Sequence, residues 1–216
     1  MKTTQTRLAS LLSLLLATAG LVGCSTHGSG TSGSETRSVG SFHAIEVHGA
    51  LTLEATAGKG PSVSLTGDDN LLSLVETEVV GGRLVVRSKE SISTTMPLVV
   101  HVETKDLDEV AVHGASKATV EDVDADELEV DVSGASEVTV EGECKVLDAK
   151  VSGASRLTAR KLKAERVELD ASGASHAELG EPSEIEAHLS GASEGRYSGS
   201  PTIDKDLSGA SRLDAR

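Results

Sequence analysis

From about Leu107 to Arg216 nearly every second position is apolar or small. One stretch reads Leu128, Val130, Val132, Gly134, Ser136, Val138, Val140. The next reads Leu147, Ala149, Val151, Gly153, Ser155, Leu157, Ala159, and a third Val167, Leu169, Ala171, Gly173, Ser175, Ala177, Leu179. Alternation of this kind is the period of a β-strand with one buried face. The tripeptide Gly-Ala-Ser punctuates it six times, starting at Gly114, Gly134, Gly153, Gly173, Gly191 and Gly209, at intervals of 20, 19, 20, 18 and 18 residues. A strand-rich unit recurring at that length predicts that each turn of chain stacks on the one before. The expected fold class is therefore all-β, a parallel β-helix or solenoid with 18–20-residue rungs. Each rung adds roughly 4.8 Å, so six make a rod of about 30 Å.

Within each unit the Gly and the Ser keep the inward phase of the alternation. They predict a corner where the coil bends inward, with Gly where backbones approach closely and a buried Ser hydroxyl that needs a backbone partner. The preceding region, Val39 to about Asp106, is strand-rich without a visible repeat. Ile45–Val47 and Leu51–Leu53 alternate around Gly49, and Val63 and Leu65 lead into the turn signal Gly67-Asp68-Asp69-Asn70. Leu71, Leu72, Leu74 and Val75 form one short stretch with helical spacing. Gly81-Gly82 between Val79-Val80 and Leu84–Val86 predicts a tight hairpin. Leu98, Val100 and Val102 make a further strand. With one Phe, one Tyr and no Trp, the core must be aliphatic, which suits a thin stacked column.

The N-terminus reads as a processing signal. Lys2 and Arg7 precede an apolar run from Leu8 to Gly20 that is too short to span a bilayer. Leu21-Val22-Gly23-Cys24 has the order of a bacterial lipobox, so residues 1–23 are expected to be removed and Cys24 lipidated. Two or three acyl chains make a stable membrane anchor. Ser25 after the Cys favours the outer membrane. Ser25–Ser38 has no aliphatic residue and reads as a flexible Gly/Ser/Thr tether. Such a tether holds the folded domain on the order of 20 Å from the membrane. The expected organisation is signal peptide 1–23, lipidated Cys and tether 24–38, and a solenoid domain 39–216, less regular over 39–106 and repetitive over 107–216.

Charge narrows the partners. The net charge is −14, and loss of Lys2 and Arg7 moves it to −16, which disfavours nucleic acid. Five residues before each repeat Gly stand Glu109, Glu129, Asp148, Glu168, Glu186 and Asp204, all acidic and all in the outward phase. Stacked in register about 5 Å apart, neighbours repel by roughly 0.8 kcal/mol in water. Two residues further on, Ala111, Asp131, Lys150, Asp170, His188 and Asp206 offer little relief. Two readings of the acidic column stand side by side. One is a solvated face that keeps the rod soluble; the other is a row of weak divalent-cation or partner-binding sites, since hard oxygen ligands suit Ca²⁺. A third outward column, Lys117, Glu137, Arg156, His176, Glu194 and Arg212, mostly alternates in sign and predicts vertical ion pairs.

Catalytic signals are lacking. His27, His43, His48, His101, His113, His176 and His188 are scattered, and no nucleophile elbow, zincin helix or phosphate loop occurs. Carboxylates are plentiful but belong to a repeat, and aromatic platforms for sugars are missing. Cys144 has no cysteine partner once Cys24 is lipidated and reads as a small buried thiol.

The segments Val39–Leu51, Val63–Leu72 and Gly82–Val86, with the serial Gly-Ala-Ser strands, resemble the bacterial autotransporter-adhesin "head GIN" domain family over about residues 39–216. The resemblance implies a single-stranded right-handed parallel β-helix and brings no catalytic or ligand residues. The chain departs from an autotransporter in its predicted lipid anchor and in lacking a C-terminal segment long enough for a membrane barrel. The expected function is a lipid-anchored, non-catalytic interaction or adhesion module of the cell envelope, facing periplasm or cell surface, with an unknown envelope or extracellular partner. A structural or stress-related lipoprotein without a specific ligand comes second, and a polysaccharide-active β-helix enzyme third. The last rung has little room for a cap, so self-association is compatible with the sequence. Arg212, Asp214 and Arg216 are candidate gatekeepers there.

Overall fold

A computed structural model describes residues 25–216. The predicted signal peptide over 1–23 and the predicted lipidation site Cys24 lie outside the described residues. The first part contains β1 (Thr26–His27), β2 (Ser32–Arg37), β3 (Ala44–Gly49), β4 (Thr52–Thr56), β5 (Ser62–Asp68), β6 (Val75–Val80), β7 (Arg83–Ser88), β8 (Ile92–Ser93) and β9 (Val99–Glu103). The second contains β10 (Glu109–Gly114), β11 (Lys117–Val132), β12 (Glu137–Val151), β13 (Arg156–Ala171), β14 (His176–Leu179), β15 (Glu184–Leu189), β16 (Glu194–Tyr197), β17 (Thr202–Leu207) and β18 (Arg212–Ala215). The stretch with helical spacing is a single 3-10 turn, Leu72–Leu74.

The repeats stack in parallel, as the alternation predicts. One side of the coil is β7–β3–β10–β11–β12–β13–β15–β17, and another is β9–β4–β11–β12–β13–β14–β16–β18. Strands β11, β12 and β13 run 16, 15 and 16 residues and bend from one side to the next at irregularities near Val120 and Thr139. In later rungs the strand breaks, and Pro182 and Pro201, which have no N–H to give to a ladder, lie in the gaps. Down the interior, Ile45, Val110, Val130, Ala149, Leu169 and Ala187 lie one above another, each fully buried.

Between the two sides sits the Gly-Ala-Ser corner, and its detail differs from the sequence expectation. The Gly residues are exposed, not inward. They adopt φ of +73° to +94°, a left-handed backbone that glycine takes without cost. Each lies so close to the Gly of the rung before that a side chain does not fit. A Cβ on Gly153 would come within 2.5 Å of the Gly134 carbonyl oxygen. The next residue uses that approach: the amides of Ala115, Ala135, Ala154, Ala174, Ala192 and Ala210 donate to the Gly carbonyls one rung back at 2.7–2.8 Å. Ser116, Ser136, Ser155, Ser175 and Ser193 are inward and buried, and Ser211 on the last rung is half-buried. Ser116, Ser136, Ser193 and Ser211 donate to backbone carbonyls, whereas the buried Ser175 hydroxyl has no partner.

The first region is more repetitive than its sequence suggests. β3 and β4 form a rung that stacks directly on the first repeat, His48 beside His113 and Gly49 beside Gly114. Chain order and spatial order differ, because this rung lies between β10–β11 and the later-formed β7 and β9. The far end of the stack is closed by antiparallel strands: β6 on β7 through the predicted Gly81-Gly82 turn, and β5 on β9 with β2 on β5. The opposite end is bare among the described residues. β17 pairs only with β15, and β18 only with β16. On that last rung Lys205 stands beside Ala187 and is exposed, a charge where the earlier rungs carry buried aliphatics, and a charge at an open edge discourages further strand pairing.

The flexible tether is a correction. Thr26–His27 pairs with Ile92–Ser93, and Ser32–Arg37 forms six antiparallel pairs with Val63–Asp68. A lack of aliphatic residues signalled disorder, but an outer strand needs only backbone groups facing an open edge.

The corner geometry sets two expectations for equilibrium unfolding. Gly153→Ala is expected to cost about 2–4 kcal/mol, because the added methyl meets backbone and the φ is strained. Ser193→Ala is expected to cost about 1 kcal/mol and Ser175→Ala within about 0.5 kcal/mol of zero, since only the former breaks hydrogen bonds. Equal costs at the two serines would contradict the corner geometry.

Candidate functional site

The acidic column is aligned as predicted. Glu109 pairs with Glu129, Glu129 with Asp148, Asp148 with Glu168, Glu168 with Glu186 and Glu186 with Asp204. Its relief comes from three cations, each shared between two rungs. Arg83, in the same column on β7, reaches Glu109 at 2.6 Å and Glu46 at 3.2 Å. Lys150 lies 2.7 Å from Glu129 and 3.4 Å from Asp148. Arg166 spreads its guanidinium over Glu168, Glu184 and Glu186 at 3.0, 2.8 and 2.6 Å. Among the described residues Asp204, on the last rung, stands outside these ion pairs.

Charge states follow the contacts. The hydrogen bond to Glu129, against some desolvation, holds Lys150 well above the ordinary lysine range. Arg166 is held charged first by its hydrogen bond to Glu168. At Glu46, burial opposes ionisation but is outweighed by His48 and Arg83, and its pKa is lowered. Sequence reasoning credited Lys150 with little and missed Arg83 and Arg166. The signal was present in part, since Arg166 stands two residues before Glu168 and shares its outward phase.

These pairings bear on the cation reading. Carboxylates already held by guanidinium and ammonium groups give their lone pairs to those groups. Among the described residues no group of three or more His, Cys, Asp or Glu converges in a way that could hold a metal ion. A groove of about 480 Å³ is lined by Glu109 and Glu129 of the column together with Asp106, Asp108, Asp124 and Asp126. It offers carboxylates on a broad surface and no coordination cage.

The third column is also in register. Lys117 pairs with Glu137 at 3.4 Å, and Glu194 gathers Arg212 at 2.7 Å, Arg196 at 2.5 Å and His176 at 3.6 Å. Glu194 is nearly buried, and the hydrogen bonds from Arg212 and Arg196 lower its pKa. The scattered histidines are partly brought together. His48 and His113 stack with ring centroids 5.0 Å apart, His48 bonding Glu46 and His113 bonding Ser133. The repeated Val-His-Gly-Ala at 47–50 and 112–115 was the legible trace of that stacking. Cys144 is buried, which pushes its thiol up to about 11 and keeps it protonated. None of these groups pairs a nucleophile with a base in a cleft.

The likeness to known proteins concerns the fold. A family model described as "Putative auto-transporter adhesin, head GIN domain" matches residues 41–201. A solved structure described as a putative adhesin from Bacteroides fragilis superposes with a TM-score of 0.69 at 19% identity, covering 88% of this chain and 97% of that one. One described as a putative lipid binding protein from Parabacteroides distasonis gives 0.57 at 18%, covering 89% and 100%. A putative adhesin from Parabacteroides merdae gives 0.55 at 17%, covering 89% and 99%. No curated protein matches in sequence.

Two outcomes test the electrostatics. Lys150→Gln is expected to lower stability by about 0.5 kcal/mol at low salt, and the loss should shrink at about 1 M salt, where the Debye length is about 3 Å; a salt-independent loss would point to packing instead. Glu194 has a depressed folded-state pKa, so its stabilisation is present above the ordinary glutamate value and is lost as pH falls through the folded value. Glu194→Gln should therefore be less stable near neutrality and show a shallower decline on the acid side; an unchanged acid limb would contradict the assignment.

Proposed function

Because this chain belongs to the putative auto-transporter adhesin, head GIN domain family, we propose that it serves as a non-catalytic interaction module of the cell envelope, held to a membrane by a lipid on Cys24. The observation that carries the reading is the in-register stack. Its outward columns repeat rung after rung and present an extended, rigid polar face along the rod. A surface of that kind meets an extended partner through many small contacts, the mode expected of adhesion, and it needs no cleft. The acidic column belongs to this face as a stripe only partly neutralised by Arg83, Lys150 and Arg166, which fix the side chains they bridge. Outer-membrane attachment rests on the lipobox order Leu21-Val22-Gly23-Cys24 followed by Ser25. Among the described residues no helix is long and apolar enough to cross a membrane.

A pull-down with the soluble domain, residues 25–216, against solubilised envelope fractions and purified polysaccharides tests the interaction reading. Retention of a component that is lost on charge reversal along Lys117, Arg156 and Arg212 is the expected result. Failure to retain any component favours the structural lipoprotein. Polysaccharide turnover abolished by one carboxylate substitution would replace the module with an enzyme. Ca²⁺ is expected to leave the thermal midpoint of the domain unchanged, and a clear rise would restore the cation-site reading of the column.

A further inference from the structure

The segment after Cys24 is fastened to the capped end of the solenoid by a dedicated set of bonds. The amides of Thr26 and Gly28 donate to the carbonyls of Ser91 and Ser93 at 3.0 and 2.8 Å. The Ser29 amide donates to Asn70 Oδ1 at 2.9 Å, and Asn70 Nδ2 donates to the His27 carbonyl at 2.8 Å. Asp68 is the centre of the clasp. Its carboxylate is fully buried and accepts the Gly30 amide at 2.8 Å, the Thr95 amide at 2.9 Å and the Thr95 hydroxyl at 2.5 Å. The Thr95 hydroxyl first, then the backbone amides, hold its pKa below the ordinary aspartate value against desolvation. Gly28 lies directly against this carboxylate, where a side chain would collide with it. Downstream, β2 is zipped to β5, and the Arg37 guanidinium donates to the carbonyls of Leu72 at 2.7 Å and Val75 at 3.3 Å. From Thr26 to Arg37 the backbone is part of the cap.

We infer that this cap is a membrane-apposed surface: with the acyl anchor on Cys24, the clasp leaves Ser25 as the sole spacer, so the capped end abuts lipid headgroups and the C-terminal rungs are the end presented away from them. The inference rests on the lipid-anchor reading of the preceding subsection. Chain length sets the scale. An extended residue spans at most about 3.6 Å, so two residues of chain allow Cys24 no more than roughly 7 Å from Thr26. A free fourteen-residue linker would average on the order of 20 Å. The groups nearest the anchor are polar: Thr26, Ser29, Asn70 and Ser91 are uncharged, and two exposed carboxylates stand among them, Glu90 accepting from the Thr26 hydroxyl and Asp69 from the Ser29 hydroxyl, a surface suited to a zwitterionic headgroup layer. The clasp thus converts a lipid anchor into an orientation, with the repeat columns displayed beyond the cap.

The test uses the full-length chain purified from membranes with its lipid and reconstituted into phosphatidylcholine vesicles containing a headgroup-attached quencher. In a Cys144→Ala background, one sample carries a fluorophore at Ser91→Cys in the cap and another at Ser208→Cys on the last rung. Several-fold stronger quenching at position 91 is expected. Equal quenching at both positions, or none at 91, overturns the membrane-apposed cap. Intact-mass analysis of the N-terminal fragment separates the two claims: an unmodified Cys24 overturns the anchor reading and the inference together, whereas acylated Cys24 with an unquenched cap overturns the inference alone. A second readout needs no probe. Trypsin should leave Arg37 uncut and the domain on the vesicles, while Asp68→Asn, with its folded state checked by circular dichroism, should release it; rapid release of the unaltered chain would contradict the clasp.

Discussion

The close approach of one glycine to the next down the corner of the coil is the constraint on which the rest of the structure depends. The amide after each Gly reaches the Gly carbonyl of the preceding rung at 2.7–2.8 Å, and a Cβ at Gly153 would fall within 2.5 Å of that oxygen. This backbone ladder pins the vertical register at one point per turn. Side-chain alternation fixes which residues face inward, but alternation alone tolerates a two-residue slip. The corner removes that freedom, so rungs of 20, 19 and 18 residues stay aligned while the length differences are absorbed at the bulges and around the prolines.

Register, once pinned, makes the surface a set of columns, and columns of like charge are costly. The chain answers with Arg83, Lys150 and Arg166, each spanning carboxylates from two rungs. Each exposed pair is worth little on its own. Together they keep the stack from repelling itself while leaving an acidic, soluble exterior. The same logic shapes the ends. Antiparallel strands close the first end, and Lys205 in an otherwise aliphatic column marks the other.

Most of the repeat architecture was legible because one period governs both packing and pairing. Leu128 and Val130 announce an inward column, and Gly134 locates the corner. The acidic column could be read by counting back five residues from each Gly. What escaped was whatever lies outside the period. The rung of β3 and β4 was hidden because a later segment of chain is placed beneath it, and sequence order does not encode that reversal. Strand β2 escaped because Ser, Gly, Thr and Glu carry no hydrophobic signal, and its place is decided by the open edge of β5 and by a buried Asp68 more than thirty residues away. Asp68 itself looked like a turn residue. Of the bridging cations, Arg83 and Arg166 escaped because they sit off the repeat's charged positions, and Lys150, visible in an outward column, was credited with too little because its reach depends on side-chain length.

The most direct test of the pinned register is residue-by-residue amide hydrogen exchange at Ala135, Ala154, Ala174 and Ala192. These alanines are exposed at the corner, so an unpinned turn would exchange them at the rate of a free loop. Their hydrogen bonds to the Gly carbonyls one rung back predict protection comparable to the buried valines of the adjoining strands. Fast exchange at these four amides, with the neighbouring strands still protected, would contradict the account.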